Sequence, residues 1–283
     1  MSRTLPSKIE VQFGPGVTGN FLLIPAGAFF VEAHRVGKQG IGSLRRHVVG
    51  ISRPYYLQET PVTQQQFEVL TGAIGDVTLL AGFPGGDRKS LIYAQAKAQS
   101  SAPSLEGSAP FNVEGPDYPV CEISWQGAFN FCQTLSDRFP RVFRLPTSME
   151  WQWAAQGGDG DRYIWAGSNY PEEVCWHEGN SNGKIQPVKQ KKPNSYGLYD
   201  MSGNVGEFCF DWWSSGEYPD DLIDFTGINL FERQRDEYFY KKVVRGGSCV
   251  YPERYAKIND VGWESPNGVV YKALGFRLLM EIP

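Results

Sequence analysis

The sequence predicts a fold of short strands joined by long ordered loops, with few helices, and three observations carry that reading. Glycine and proline number 32 and 19 among 283 residues, so turns must be frequent. Aromatic residues make up 14%, with eight Trp, which gives the loops large side chains to bury. Helix start signals are confined to a few stretches, with no internal repeat, low-complexity tract or linker between them, so one domain is expected.

The elements follow in order. Residues 1–20 read as a polar lead-in. Phe21–Phe30, FLLIPAGAFF, reads as strand, Pro-Ala-Gly turn and second strand. Gly37–Gly50 is basic and glycine-rich and reads as a hairpin tip, and Tyr55–Leu57 as a short strand. Thr63 is placed to cap a helix running to Gly72, with Phe67 and Leu70 on its apolar stripe. Residues 72–117 read as an insertion or long loop, with a helix at Ser90–Gln99. Tyr118–Ser124 reads as a strand, and Ser124 caps a helix from Trp125 to Phe139. Thr147 and Glu150 have capping-box spacing ahead of another helix. Residues 157–194 and Ser214–Asp221 read as loop, VVRGG as a strand, and GFRLLM as one closing strand.

Composition excludes several function classes. Hydrophobic residues are 41%, charged residues 20% and the net charge is −4, with no bias towards nucleic acid or an anionic membrane. No apolar run approaches the ~18 residues of a membrane span, and MSRTLPSKIE lacks the apolar centre of a signal peptide. Five cysteines, an odd count, cannot all pair within the chain; without a CxxC or Cys/His cluster they read as dispersed buried thiols. His34, His47 and His177 have no metal-ligand spacing, and no GxSxG, phosphate-loop or dinucleotide motif occurs.

Ser195–Trp213, SYGLYDMSGNVGEFCFDWW, stands out. Asp200, Asn204 and Glu207 offer hard oxygen donors around Gly203 and Gly206, and glycines let a tight loop turn its carbonyls inward. Such a set can hold Ca²⁺; it equally describes a glycine-rich turn, with capping hydrogen bonds, ahead of a buried strand.

TPVTQQQF (60–67), YPVCEISWQGAFNFC (118–132), RLPTSMEWQWAAQGG (144–158), residues 180–213, VVRGGS (243–248) and GFRLL (275–279) resemble, in that order, the formylglycine-generating-enzyme or sulfatase-modifying-factor family. The resemblance implies an α+β, C-type-lectin-like fold over residues 21–283, with small twisted antiparallel sheets, two main helices and extensive ordered loops. It also implies a structural Ca²⁺ held by Asp200 and Glu207 through side chains and by Met201, Gly203 and Val205 through carbonyls. Gly206 stands where the family often has an aromatic. The family's chemistry uses two copper-binding cysteines, at the third and eighth positions after the GGS serine. Here those positions are Tyr251 and Ala256, neither of which can supply a thiolate. Cys249 has no close partner in sequence. The expectation is therefore a non-enzyme without copper.

Between GGS and GFR, rigid aromatics alternate with short polar groups in the manner of a paratope. The RGGS…GFRLL frame also resembles the variable region of diversity-generating-retroelement proteins, which display a hypervariable ligand-binding face. That resemblance assigns residues 243–279 as the variable region, with Val250, Tyr251, Glu253, Tyr255, Asn259, Asp260, Trp263, Glu264, Asn267 and Tyr271 as its ligand-binding side chains. Lys257 and Val261–Gly262 depart from the arginines common there. The function expected is a monomer binding a protein or glycan, displayed at a bacterial cell surface or exported and lipid-anchored through a preceding segment, with a cytoplasmic site as the alternative. The competing functions are an oxidoreductase acting on a peptidyl cysteine and a structural component of an envelope complex.

Overall fold

The computed structural model describes residues 4–37, 40–71, 115–158, 163–213, 222–224, 241–266 and 273–283, with backbone alone at 32–37, 40–45 and 222. The helix expected at Ser90–Gln99, most of the insertion at 72–117, the loop at Ser214–Asp221, and Asn267 and Tyr271 lie outside the described residues.

The fold is α+β. A five-stranded antiparallel sheet runs in the order β1-β2-β5-β14-β6, comprising β1 (Lys8–Gly14), β2 (Val17–Ile24), β5 (Tyr55–Gln58), β14 (Leu279–Met280) and β6 (Phe143–Arg144). Against it pack α1 (Gln64–Thr71) and α2 (Trp125–Arg138), enclosing Phe13, Phe21, Phe67, Phe131, Leu135 and Phe276. Phe67 and Phe131 stack at 5.2 Å between ring centroids. A second core forms around α3 (Ser148–Gln156) and receives β3 (Gly27–Gly37) and β4 (Gly40–Ile51) through Phe29, Val31, Val49 and Ile51.

Capping chemistry fixes the helices where the sequence placed them. Thr63 Oγ1 accepts the Gln66 N–H at 3.3 Å, while Gln66 Oε1 accepts the Thr63 N–H at 3.1 Å. Ser124 Oγ accepts the Gly127 N–H at 3.1 Å. Thr147 and Glu150 form a full capping box, and α3 ends on Gly157 at φ 75°, the left-handed C-cap that glycine adopts without strain.

The structure corrects several expectations. Residues 1–20 are no lead-in: β1 and β2 form a hairpin on the main sheet, turning at Gly14-Pro15-Gly16 and burying Val11 and Phe13. Gly37–Gly50 is no mere tip, since β4 pairs with β3 over nearly its whole length. Tyr118–Ser124 makes a single bridge, Thr63↔Pro119. Proline donates no ladder hydrogen bond, and Glu122 sits at φ 56°, outside strand geometry. GFRLLM is two strands in different sheets: β13 (Leu274–Gly275) lies parallel to β9 (Gly206–Trp212), whereas β14 joins β5 and β6. The chain changes sheets across Phe276-Arg277-Leu278.

That crossing organises the functional end. A four-stranded sheet runs β12-β11-β9-β13, with β11 (Lys242–Arg245) central and β12 (Gly262–Glu264) at its edge. The stretch expected to be loop at 157–194 also holds α4 (Pro171–Val174) and β7 (Cys175–Trp176); β7 runs parallel to β8 (Ser202–Gly203).

Candidate functional site

Two constellations emerge, one buried and one exposed. In the first, Arg277 donates to Glu207 in a bidentate fork: Nε to Oε2 and Nη2 to Oε1, both at 2.6 Å. Trp151 Nε1 adds a third donor to Oε2 at 2.7 Å. Arg277 also donates to the carbonyls of Gln58 (3.2 Å) and Tyr199 (3.0 Å). One guanidinium therefore joins β5, β9 and the loop before β8, with α3 tied in through Trp151 on the same carboxylate, and it is wholly buried.

The loop residues singled out for calcium lie around this pair. Asp200 is buried, with Oδ2 accepting the Lys189 N–H at 2.9 Å. Asn204 Oδ1 accepts the Gln186 N–H at 2.9 Å. Gly203 at φ 79° packs so tightly that an added Cβ would stand 2.2 Å from the Trp176 carbonyl oxygen. Met201 and Val205 are core side chains. Burial pushes the Asp200 carboxyl up to about 6, against the pull of the Lys189 N–H and the Arg277 charge. Among the described residues no three His, Cys, Asp or Glu side chains gather as metal ligands. Glu207 does not fit a Ca²⁺-ligand role as the loop stands: a cation on its oxygens would face the Arg277 guanidinium across a dry, low-dielectric contact.

The second constellation follows Gly246 and Gly247, both at positive φ. An added Cβ on Gly247 would stand 2.6 Å from the Tyr255 carbonyl oxygen, so glycine lets the chain fold back against itself. From there the scaffold holds the backbone. Glu178 N–H donates to the Tyr251 carbonyl (3.0 Å) and Trp165 Nε1 to the Glu253 carbonyl (2.9 Å). Ile258 N–H donates to the Ile164 carbonyl at 3.0 Å. Arg245 Nη1 donates to the carbonyls of Ile258 (3.4 Å) and Asp260 (3.0 Å). Ala256 and Ile258 are the buried plugs.

With the backbone pinned, the side chains divide. Tyr251, Tyr255 and Trp263 are 38%, 45% and 45% exposed. Tyr251 and Tyr255 meet edge-on at 6.0 Å, and Trp263 leans on Trp213 at 5.9 Å. Val250 is partly buried against the Cys249 cluster. Glu253 Oε2 lies 3.9 Å from His177 Nδ1. Asn259 Oδ1 accepts from Gln152 Nε2 at 3.0 Å, and Asp260 is half-buried near Arg245, with burial raising its carboxyl. Glu264 Oε1 accepts the Ser265 N–H. Arg254, Lys257 and Val261 also face outward, beyond the ten side chains the resemblance assigned to ligand binding. For two of them the signal was present: Lys257 lies between the buried Ala256 and Ile258, and Val261 precedes the strand glycine Gly262, which leaves each the outward position.

Burial disfavours the thiolate form of the cysteines. Cys249 is fully buried, and burial pushes it up to about 12, as it does Cys121 and Cys175.

With this geometry in hand, similarity to known proteins can be placed. A family model described as "Sulfatase-modifying factor enzyme 1-like domain" matches residues 11–282. A formylglycine-generating enzyme of Streptomyces coelicolor is 27% identical, covering 89% of this chain and 86% of its own. A formylglycine-generating enzyme of Thermomonospora curvata is 28% identical, covering 84% and 85%. The solved structure of Treponema denticola variable protein 1 shares the fold at a TM-score of 0.72 and 24% identity, over 98% of this chain and 100% of that one.

Proposed function

The chain belongs to the sulfatase-modifying factor enzyme 1-like family, and we propose that it serves there as a non-catalytic ligand-binding protein, its binding face being the segment between the GGS and GFR motifs. The observation that carries this reading is the division of labour in residues 250–264: scaffold groups hold the backbone through its carbonyls, while Tyr251, Tyr255 and Trp263 project into solvent. A side chain that holds nothing in place is free to be a contact. Tyr and Trp supply large contact area with few rotamers to freeze.

The lack of usable sulfur supports the same reading. Tyr251 and Ala256 stand where the resemblance puts the family's copper-binding thiols, and burial raises the Cys249 thiol. In the diversified form of the proposal, natural copies of the gene differ at codons for outward positions such as 251, 255 and 263 and keep those for Ala256, Ile258 and Gly247. Sequencing several copies tests this, and changes spread evenly along the chain count against diversification. The enzymatic alternative is tested directly: copper-loaded protein is incubated with a cysteine peptide and followed by mass spectrometry. Conversion of the cysteine to formylglycine, lost in Cys249→Ala, would overturn the binding proposal.

A further inference from the structure

We infer that the binding face extends onto the scaffold loop at Tyr163–Ile164, and that the composite surface is built for a folded protein presenting an uncharged, apolar patch. The inference rests on the binding role proposed for residues 250–264 and goes beyond it by adding a fixed half and naming the partner's class.

The fixed half is placed by backbone contact. The Ile164 carbonyl accepts the Ile258 N–H at 3.0 Å, so the loop runs alongside the segment between Ala256 and Asp260. Trp165 turns inward, packing with Ala256 and donating to the Glu253 carbonyl. Its two predecessors turn outward, with Tyr163 43% and Ile164 47% exposed. Two large apolar side chains are thus held in solvent next to the segment by residues whose own role is structural. A fixed loop with no contact role gains nothing from such exposure, and an apolar surface rimmed by polar groups marks an interaction site.

Size and charge favour a protein partner. A stable protein interface takes ~20–30 residues a side, and the segment from 250 to 264 contributes fifteen, several of them buried. The adjoining loop supplies part of the remainder. Small ligands and short glycans favour concave sites. One groove among the described residues, of about 460 Å³, is lined away from this face, by Trp176, Lys191 and Tyr199 among others. Glu253, Asp260 and Glu264 outnumber Arg254 and Lys257 by one, so the face has no excess positive charge with which to select a polyanion.

The test uses the whole chain with positions 251, 255, 261 and 263 randomised, displayed on yeast and sorted against two defined probes: hen egg lysozyme as folded protein and a soluble β-glucan as glycan. Binders to lysozyme are expected. In each, Ile164→Ser or Tyr163→Ala should weaken Kd at least tenfold, with unchanged melting temperature, while Val142→Ser, at an exposed apolar position beside β6, should change it less than twofold. Lysozyme binders indifferent to both loop substitutions overturn the composite face and leave the segment's role standing. Binders to the glucan alone overturn the partner class. A library that binds neither probe overturns the binding segment itself, and this inference with it.

Discussion

The centre at Glu207–Arg277 and the face at 250–264 meet one sheet, through β9 and β12, yet each is held in the opposite way. At the centre, side chains hold side chains: three donors converge on one carboxylate, and Arg277 has no exposed surface. On the face, scaffold groups hold backbone: the carbonyls of Tyr251, Glu253, Ile258 and Asp260 are all spoken for, and the tyrosines and Trp263 are not needed for it. The first arrangement ties fold to sequence letter by letter. The second separates shape from sequence, so that the letters can change while the shape stays.

The sharpest way to break this comparison is to open the buried pair. Glu207→Ala leaves Arg277 charged and unpaired in the interior, which costs about 3–5 kcal/mol. Arg277→Met should lose a similar amount, seen as a lower urea midpoint. The double variant Glu207→Leu/Arg277→Met should regain much of it, because no charge then remains buried. If Glu207→Ala is instead neutral without calcium and destabilising only with it, the carboxylate serves a metal and not the arginine.

Asp200 sharpens the same region at a smaller scale. Its folded pKa, about 6, lies above the ordinary 3.8, with burial the largest cause. The folded state therefore binds more protons than the unfolded one between about pH 4 and 6. Stability from this group falls as pH rises through that window, and the penalty persists at pH 7. Asp200→Asn should stabilise the protein at pH 7 by up to about 3 kcal/mol and have little effect near pH 4, as read by denaturant melts at both. A variant that loses stability at pH 7, with wild-type protein gaining from added Ca²⁺, would place a cation at the carboxylate and reverse the sign.

What the sequence disclosed divides along the same line. Helix caps are local, so Thr63 as an N-cap and the Thr147–Glu150 capping box were legible from spacing, and so was the glycine-rich run to β9, whereas the reciprocal Gln66 bond was not. The partner of Glu207 was not. Arg277 lies 70 positions away, and only the change of sheets at Phe276–Leu278 brings it in. The β1–β2 hairpin was missed because its outward residues are polar, and β4 because its glycines and basic residues mask an alternation facing Phe29 and Val31. On the face, aromatic content drew attention to the right segment. Which members point outward depended on contacts from Trp165, Gln152 and Arg245, all remote in sequence.

The smallest expected effect is the most informative about the face. Tyr251→Ala, Tyr255→Ala and Trp263→Ala each remove a large side chain, a change that costs about 3–5 kcal/mol in a core. Here each side chain is well exposed, its ring contacts are with other members of the face, with Trp213 or, for Trp263, with the half-buried Lys241 ammonium, and the backbone bonds of the segment survive truncation. Surface substitutions of that kind stay within about 0.5 kcal/mol. The triple variant should therefore melt within a few degrees of wild type, with hydrogen exchange at Ile258 unchanged because the Ile164 carbonyl still holds it. Ala256→Tyr, one position from Tyr255, should do the reverse: Ala256 is fully enclosed against Trp165 and Cys175, so an added ring has nowhere to go and the segment detaches. A triple variant as damaging as Ala256→Tyr would mean that the tyrosines and Trp263 build the segment, and the contrast between a centre held by side chains and a face held by backbone would fail.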